Sequence, residues 1–282
     1  MTALLLQLLK IFLFIATYSS DHNNVIIDDN AQLDSIIPVT SADVKRELEK
    51  EIPVIAYVIS VTGCGNNGIL DGAAVLKRSI QDNSYPKNPN SRYGYKLYAF
   101  GHSGHVFWKH NCKTRLLDLG YEVMMVDLPV QRPLYHLERH YPRLPNRKPD
   151  TMIELDGCCG SKEFVKLHMY NMTAHDVVVH LDADVLFVKP LDLLYDAMIY
   201  SNDSPKGKNA RYALKGHIDV TTVDKPLPDT ISAYIVKDWC GAGCNNNGVI
   251  GVQAGIIIVR PNDTVLNEYI DIIKEGNYIP GK

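Results

Sequence analysis

A run of β-branched residues that ends on two carboxylates constrains this chain more than anything else in it. Residues 176–190 read Asp-Val-Val-Val-His-Leu-Asp-Ala-Asp-Val-Leu-Phe-Val-Lys-Pro. Val177 to Leu181 has the composition of a buried strand. Asp182 and Asp184 follow with small Ala183 between them, and apolar residues resume until Lys189-Pro190 breaks the pattern. In extended chain, positions i and i+2 face the same way, so both carboxylates are expected to meet at one point. Two neighbouring anions in an apolar segment repel each other unless a cation lies there. A hard divalent metal carrying phosphate oxygens meets that need. A pair of solvated turn aspartates is the plain alternative, and the place of the pair at the end of a central strand favours the metal.

Upstream, strand and helix patterns alternate. Pro53 to Val61 reads as a buried strand, and a Gly/Asn-rich turn, Thr62 to Gly68, follows it. A helix is expected from Ile69 to Asp82, with Ala73, Leu76 and Ile80 at helical spacing. Tyr95 to Phe100 is a second strand, and Val106 to Leu119 a second helix stopped by Gly120 in the C′ position. Tyr121 to Val126 is a third strand. Strand–helix–strand repeats predict an α/β fold around a mostly parallel sheet. Ligands in such sheets sit beyond the carboxyl ends of the strands, where Thr62 and Asp182 would both fall. The glycines after Thr62 let backbone approach a ligand, but neither a Walker loop nor a Gly-x-Gly-x-x-Gly fingerprint is present.

The remaining stretches divide the chain. Met1 to Ser20 is nearly all apolar with Lys10 inside it, and is expected to be a signal peptide or a signal anchor, which makes membrane attachment through residues 1–20 an expectation. Residues 21–51 read as a linker or stem ending in a short charged helix from Ser41, and residues 52–282 as one folded domain. Sequons at Asn171, Asn202 and Asn262 fit a secretory-pathway protein, with Asn202, in a polar loop, the best acceptor. Six cysteines fit disulfides in an oxidising compartment, ahead of a zinc site built from Cys158, Cys159, Cys240 and Cys244. The formal net charge of −3 gives no support to a nucleic-acid partner.

Leu128 to Asp150 holds five prolines and several arginines, and reads as a long loop of the kind that often serves as a lid. His102, His105 and His110 have no spacing that completes a metal cluster. Ser161 to Met172 reads as a helix, with Lys166 available for an anion.

Taken in order, several blocks resemble glycosyltransferase family 8, the glycogenin-like enzymes. They are Phe164-Val-Lys166-Leu-His-Met-Tyr-Asn, Val177 to Asp184, Lys189-Pro-Leu-Asp192, and Gly251-Val-Gln253-Ala-Gly255-Ile-Ile-Ile-Val-Arg260-Pro261. The first strand with Thr62 precedes them as it does in that family. The resemblance runs from about Val54 to Gly276, with a poorly matching segment from Met198 to Asn247.

The resemblance implies a GT-A fold, a single Rossmann-like domain that binds a nucleotide-diphospho-sugar. It implies transfer of a hexosyl or other glycosyl group from a UDP-sugar to a glycan or protein acceptor, with retention at the anomeric carbon. Asp182 and Asp184, the DxD pair, match the residues that bind Mn²⁺ (or Mg²⁺) and through it the donor diphosphate. Thr62 matches a position against the base, Lys166 a lysine that reaches the donor, and Ala183, Gln253 and Gly255 further donor contacts. The targeting segment points to the Golgi or another secretory lumen, as a type II membrane protein or a secreted one.

Departures from the family pattern set further expectations. The turn after Thr62 is longer than the family's, and a tyrosine near its end is not obvious. The family's Gly-Asp-Gln block, and the later His that completes the metal shell, do not occur before Lys282. Residues 52–282 are therefore expected to form an incomplete donor-binding domain whose metal leans on water and diphosphate. The alternatives are a catalytically inactive relative that binds a nucleotide sugar or glycan, and another metal-dependent nucleotide enzyme such as a nucleotidyltransferase.

Overall fold

The structure, a computed structural model, describes residues 52–62, 68–102, 111–130, 160–214, 227–237 and 252–275. The targeting segment, the linker, most of the turn after Thr62, His105, His110 and most of the Pro/Arg-rich loop lie outside the described residues. Among the described residues no helix is long and apolar enough to cross a membrane.

Strand β1 (Val54–Val61) leads into helix α1 (Gly68–Asp82), and β2 (Gly94–His102) into helix α2 (Cys112–Asp118) and β3 (Glu122–Val126). A 3₁₀ helix (Gly160–Asn171) precedes β4 (Val178–Leu181). Helices α3 (Asp192–Ile199) and α4 (Pro205–Leu214), strands β5 (Ala233–Lys237) and β6 (Val252–Val259), and helix α5 (Asp263–Glu275) complete the order. The strands form one six-stranded sheet in the order β3-β2-β1-β4-β6-β5. The four strands from β3 to β4 run parallel, β6 pairs antiparallel with β4, and β5 pairs antiparallel with β6 and so runs in the direction of the first four. The α/β fold with a mostly parallel sheet is as the alternation predicts, and it is consistent with a Rossmann-like GT-A fold.

Strand periodicity sorts the core onto two faces. Ile55, Tyr57, Ile59 and Val61 of β1, with Val179 and Leu181 of β4, pack under α1 through Leu70, Ala73, Leu76 and Ile80. The intervening Ala56, Val58 and Val178 face Val165 and Met169 of the 3₁₀ helix and Leu266 of α5. Both faces of β1 and β4 are covered, which is why these strands read as continuous apolar runs rather than as alternating ones. Truncating a fully buried side chain such as Ile59 to Ala would cost about 2–5 kcal/mol.

The connections place a crevice. From β1 the chain moves outward through β2 to β3, and β4 lies on the other flank of β1. The order of strands therefore reverses between β1 and β4, and in open α/β sheets the carboxyl end of such a reversal is where ligands bind. Ile59 is paired with Leu181. Thr62 and Asp184 each lie three positions further along (62 − 59 and 184 − 181), so both emerge at that edge.

Some local expectations are corrected. The helix expected over Ser161 to Met172 is present, as a 3₁₀ helix over Gly160–Asn171. The second helix is described from Cys112, residues 103–110 lying outside the described set. Gly120 does close it in the left-handed conformation, with φ +86°. Cys112 is disulfide-bonded, and the other five cysteines lie outside the described residues. The amide of Asn202 is engaged with Asp229 at 3.0 Å, whereas Asn171 and Asn262 are exposed.

Candidate functional site

Strand β4 ends one residue before the first carboxylate, and the backbone explains why. The Asp182 amide donates to Gly255 O of β6 at 2.9 Å, the last backbone bond before the chain turns. The Val185 amide then donates back to Asp182 O at 3.2 Å. Asp182 to Val185 is thus a β-turn with Asp at its first position, a favoured arrangement because Asp stabilises turn backbone. The expectation that both carboxylates lie on extended chain is corrected. They lie on a turn at the tip of β4, with Asp184 exposed and Asp182 half-buried.

Lys166 reaches this turn from the 3₁₀ helix. Its ammonium lies 3.1 Å from Asp182 Oδ1 and 2.5 Å from Glu163 Oε2, and more loosely, at 3.5 Å, from Ala254 O. Desolvation works against its charge, but the hydrogen bond to Glu163 and the charge of Asp182 outweigh it and raise the lysine pKa. Burial raises the Asp182 pKa, and Lys166 opposes that shift. Lys166 is therefore already paired with two carboxylates, where the sequence alone suggested a cation waiting for an anion.

Behind the turn, His180 Nε2 and Ser60 Oγ lie 2.8 Å apart, joining β4 to β1 beneath the crevice. His180 is fully buried, and its Nδ1 has no hydrogen-bond partner among the described residues. Burial, reinforced by the charge of Lys166, pushes its pKa down to about 3, so it is a neutral strut. Glu163, His180 and Ser60 were not singled out from the sequence. Glu163 was legible as the i−3 partner of Lys166, whereas a histidine inside a β-branched run carries no such signal.

Of the residues expected at the site, Lys166, Asp182, Asp184, Ala183 and Gly255 converge on the tip of β4. Thr62 lies one residue beyond β1 at the same edge of the sheet. Gln253 lies in β6 opposite Val236 of β5. Ala183 turns its carbonyl toward Gly72 of α1.

Asp182 and Asp184 are the described residues of this turn that could hold a hard divalent ion. A Cβ at Gly255 would lie 3.5 Å from Asp182 Oδ2, so anything longer than a methyl there would cover that oxygen, and glycine leaves it open. Asp184 adds an exposed carboxylate on the same turn. Among the described residues no group of three or more His, Cys, Asp or Glu could hold a metal. An ion here would complete its shell with water and phosphate oxygens, as Mg²⁺ and Mn²⁺ commonly do.

No protein-family model matches this chain, and no curated protein sequence matches it. Among solved structures it is similar to the crystal structure of mouse xyloside xylosyltransferase 1 in its apo form. The TM-score is 0.33 and the identity 10%, over 78% of this chain and 71% of that one.

Proposed function

We propose that this chain is a metal-dependent retaining glycosyltransferase of the family 8 kind, which moves a sugar from a UDP-sugar to a glycan or protein acceptor in the secretory pathway. One observation carries the reading. Lys166, Asp182, Asp184 and Gly255, which carry the family 8 resemblance, meet at the crevice where strand order reverses. Asp182 and Asp184 would hold Mn²⁺ or Mg²⁺, whose chemistry is to neutralise the diphosphate of the donor.

The chain's own residues supply the rest. The ammonium of Lys166, held near the turn by Glu163, stabilises negative charge that grows on the leaving diphosphate. Such help matters most in a half-buried setting, where the effective dielectric is below that of water. Gly255 keeps side-chain bulk away from Asp182, and the Asp182 amide bond to Gly255 O fixes the turn against β6. The apolar residues 1–20 and the exposed sequon asparagines Asn171 and Asn262 support a lumenal setting.

The second reading, a non-catalytic relative that binds a nucleotide sugar or glycan, is favoured by the scarcity of protein ligands. Only two carboxylates stand on the turn among the described residues. The test is release of UDP from a panel of UDP-sugars with Mn²⁺ and candidate glycan acceptors, the anomeric configuration of any product being read by NMR. Mn²⁺-dependent UDP release that disappears in Asp184→Ala supports the enzyme. Binding without release supports the second reading, and an inverted product contradicts the retaining mechanism.

A further inference from the structure

The contact under the acidic turn points to a residue no motif assigns. Gly72 lies inside helix α1, a position where glycine is disfavoured against alanine because it adds backbone freedom and buries no side chain. A Cβ built on it would lie 2.7 Å from Ala183 O, and 3.3 Å from both Ala183 C and Ala183 Cβ. The obstacle is backbone, so no rotamer change relieves it. The same turn is tied on its other flank by the Asp182 amide bond to Gly255 O, and closed by the Val185 amide bond to Asp182 O at 3.2 Å.

We propose that Gly72 is a positioning residue that seats the Asp182–Val185 turn on helix α1 and so fixes where Asp182 and Asp184 present their oxygens. Helix α1 is also the element that receives the chain after Thr62 and the Gly/Asn-rich turn. The seat thus ties both banks of the crevice, the end of β1 and the end of β4, to one rigid helix. A helix glycine with no such contact would respond to alanine in the opposite way, since Gly→Ala inside a helix favours the helix itself.

The nucleotide readout of this inference rests on the proposed function; the exchange readout does not. Gly72→Ala is compared with the parent chain by amide hydrogen exchange and by UDP titration in Mn²⁺. The expected result is a folded chain whose Val185 amide exchanges about tenfold faster while β1 and β4 amides hold. Mn²⁺-dependent UDP affinity falls about tenfold, because small misplacements of a positioned group are costly. Adding Ala183→Gly restores most of that affinity, since a glycine turn tolerates the displaced backbone.

If Gly72→Ala does not fold, Ala183→Val loads the same contact from the half-exposed turn side and carries the same expectations. Unchanged Val185 exchange in whichever variant folds overturns the inference, and so does faster exchange with unchanged affinity in a parent that binds UDP. If the parent binds no UDP with Mn²⁺, the proposed function fails, and the Val185 exchange still decides whether Gly72 seats the turn.

Discussion

Replacing Lys166 by Met separates the two roles that its charge plays. Its ammonium is 3.1 Å from Asp182 and 2.5 Å from Glu163, and its side chain is 11% exposed against 46% and 38% for the two partners. Met keeps the apolar stem and removes the charge. With both partners wet, the lost ion pairs amount to about 1 kcal/mol or less, which for a chain of this size moves the unfolding midpoint by roughly 2–4 °C at most. The effect on ligands is larger and has two signs. A metal on Asp182 would approach the ammonium to within about 4–5 Å, and at a dielectric near that of water the repulsion between a doubly charged ion and the ammonium is on the order of 2 kcal/mol. Removing it should tighten Mn²⁺ binding in the absence of nucleotide roughly 30-fold. UDP binding in saturating Mn²⁺ should weaken roughly 10- to 100-fold, because a charge-assisted hydrogen bond to the diphosphate, about 1.5–3 kcal/mol, is lost. Electron paramagnetic resonance of free Mn²⁺ and calorimetry of UDP read the two constants separately. Movement of both affinities in the same direction, or of neither, refutes the account of Lys166 as internal counter-ion and phosphate contact.

The exposed turn carboxylate gives a simpler case. Asp184→Ala should abolish Mn²⁺-dependent UDP binding while stability stays within about 0.5 kcal/mol, and retained metal-dependent binding speaks against the site. On the buried face of α3, Asp196 accepts from the Tyr93 hydroxyl at 2.6 Å and pairs with the Arg92 guanidinium. Asp196→Ala should lower urea stability by about 2–4 kcal/mol by stranding the buried hydroxyl, and a loss below about 0.5 kcal/mol would contradict that role. His175, 2.8 Å from the Tyr98 hydroxyl, is held below its ordinary value of 6.5 by burial first and the Lys96 charge second, against Glu122 and Asp176. Its folded pKa is depressed, so its contribution to stability is complete above pH 6.5 and is lost as pH falls through the folded value. His175→Gln should flatten the acid limb of the stability–pH curve just below 6.5, and an unchanged limb counts against this assignment.

What the sequence revealed follows physical lines. β1, α1 and β4 were legible because each buries a face whose period shows: Ile55 to Val61 in the strand, Ala73, Leu76 and Ile80 in the helix. The acidic pair was legible because charge at the end of an apolar run has few uses. Its geometry was not, since one hydrogen bond, Asp182 N to Gly255 O, and one turn bond decide where β4 stops, and both involve partners fixed only in the fold. The pairing of Lys166 with Asp182 spans 16 positions and two elements, so its choice of a carboxylate over a waiting anion had no local mark. Gly72 was visible as a glycine in a helical pattern, but the backbone it accommodates lies more than a hundred residues later. The antiparallel pairing of β6 with β4 and β5 was hidden for a similar reason, because buried strands of either direction have the same apolar texture.

The central claim is that Asp182 and Asp184 bind a nucleoside diphosphate through a divalent metal. Calorimetric titration of the purified chain with UDP, first in Mn²⁺ and then in EDTA, tests it most directly. The account predicts binding in Mn²⁺ that vanishes in EDTA and is lost in Asp182→Ala. Equal affinity under both conditions, or no binding under either, would contradict it.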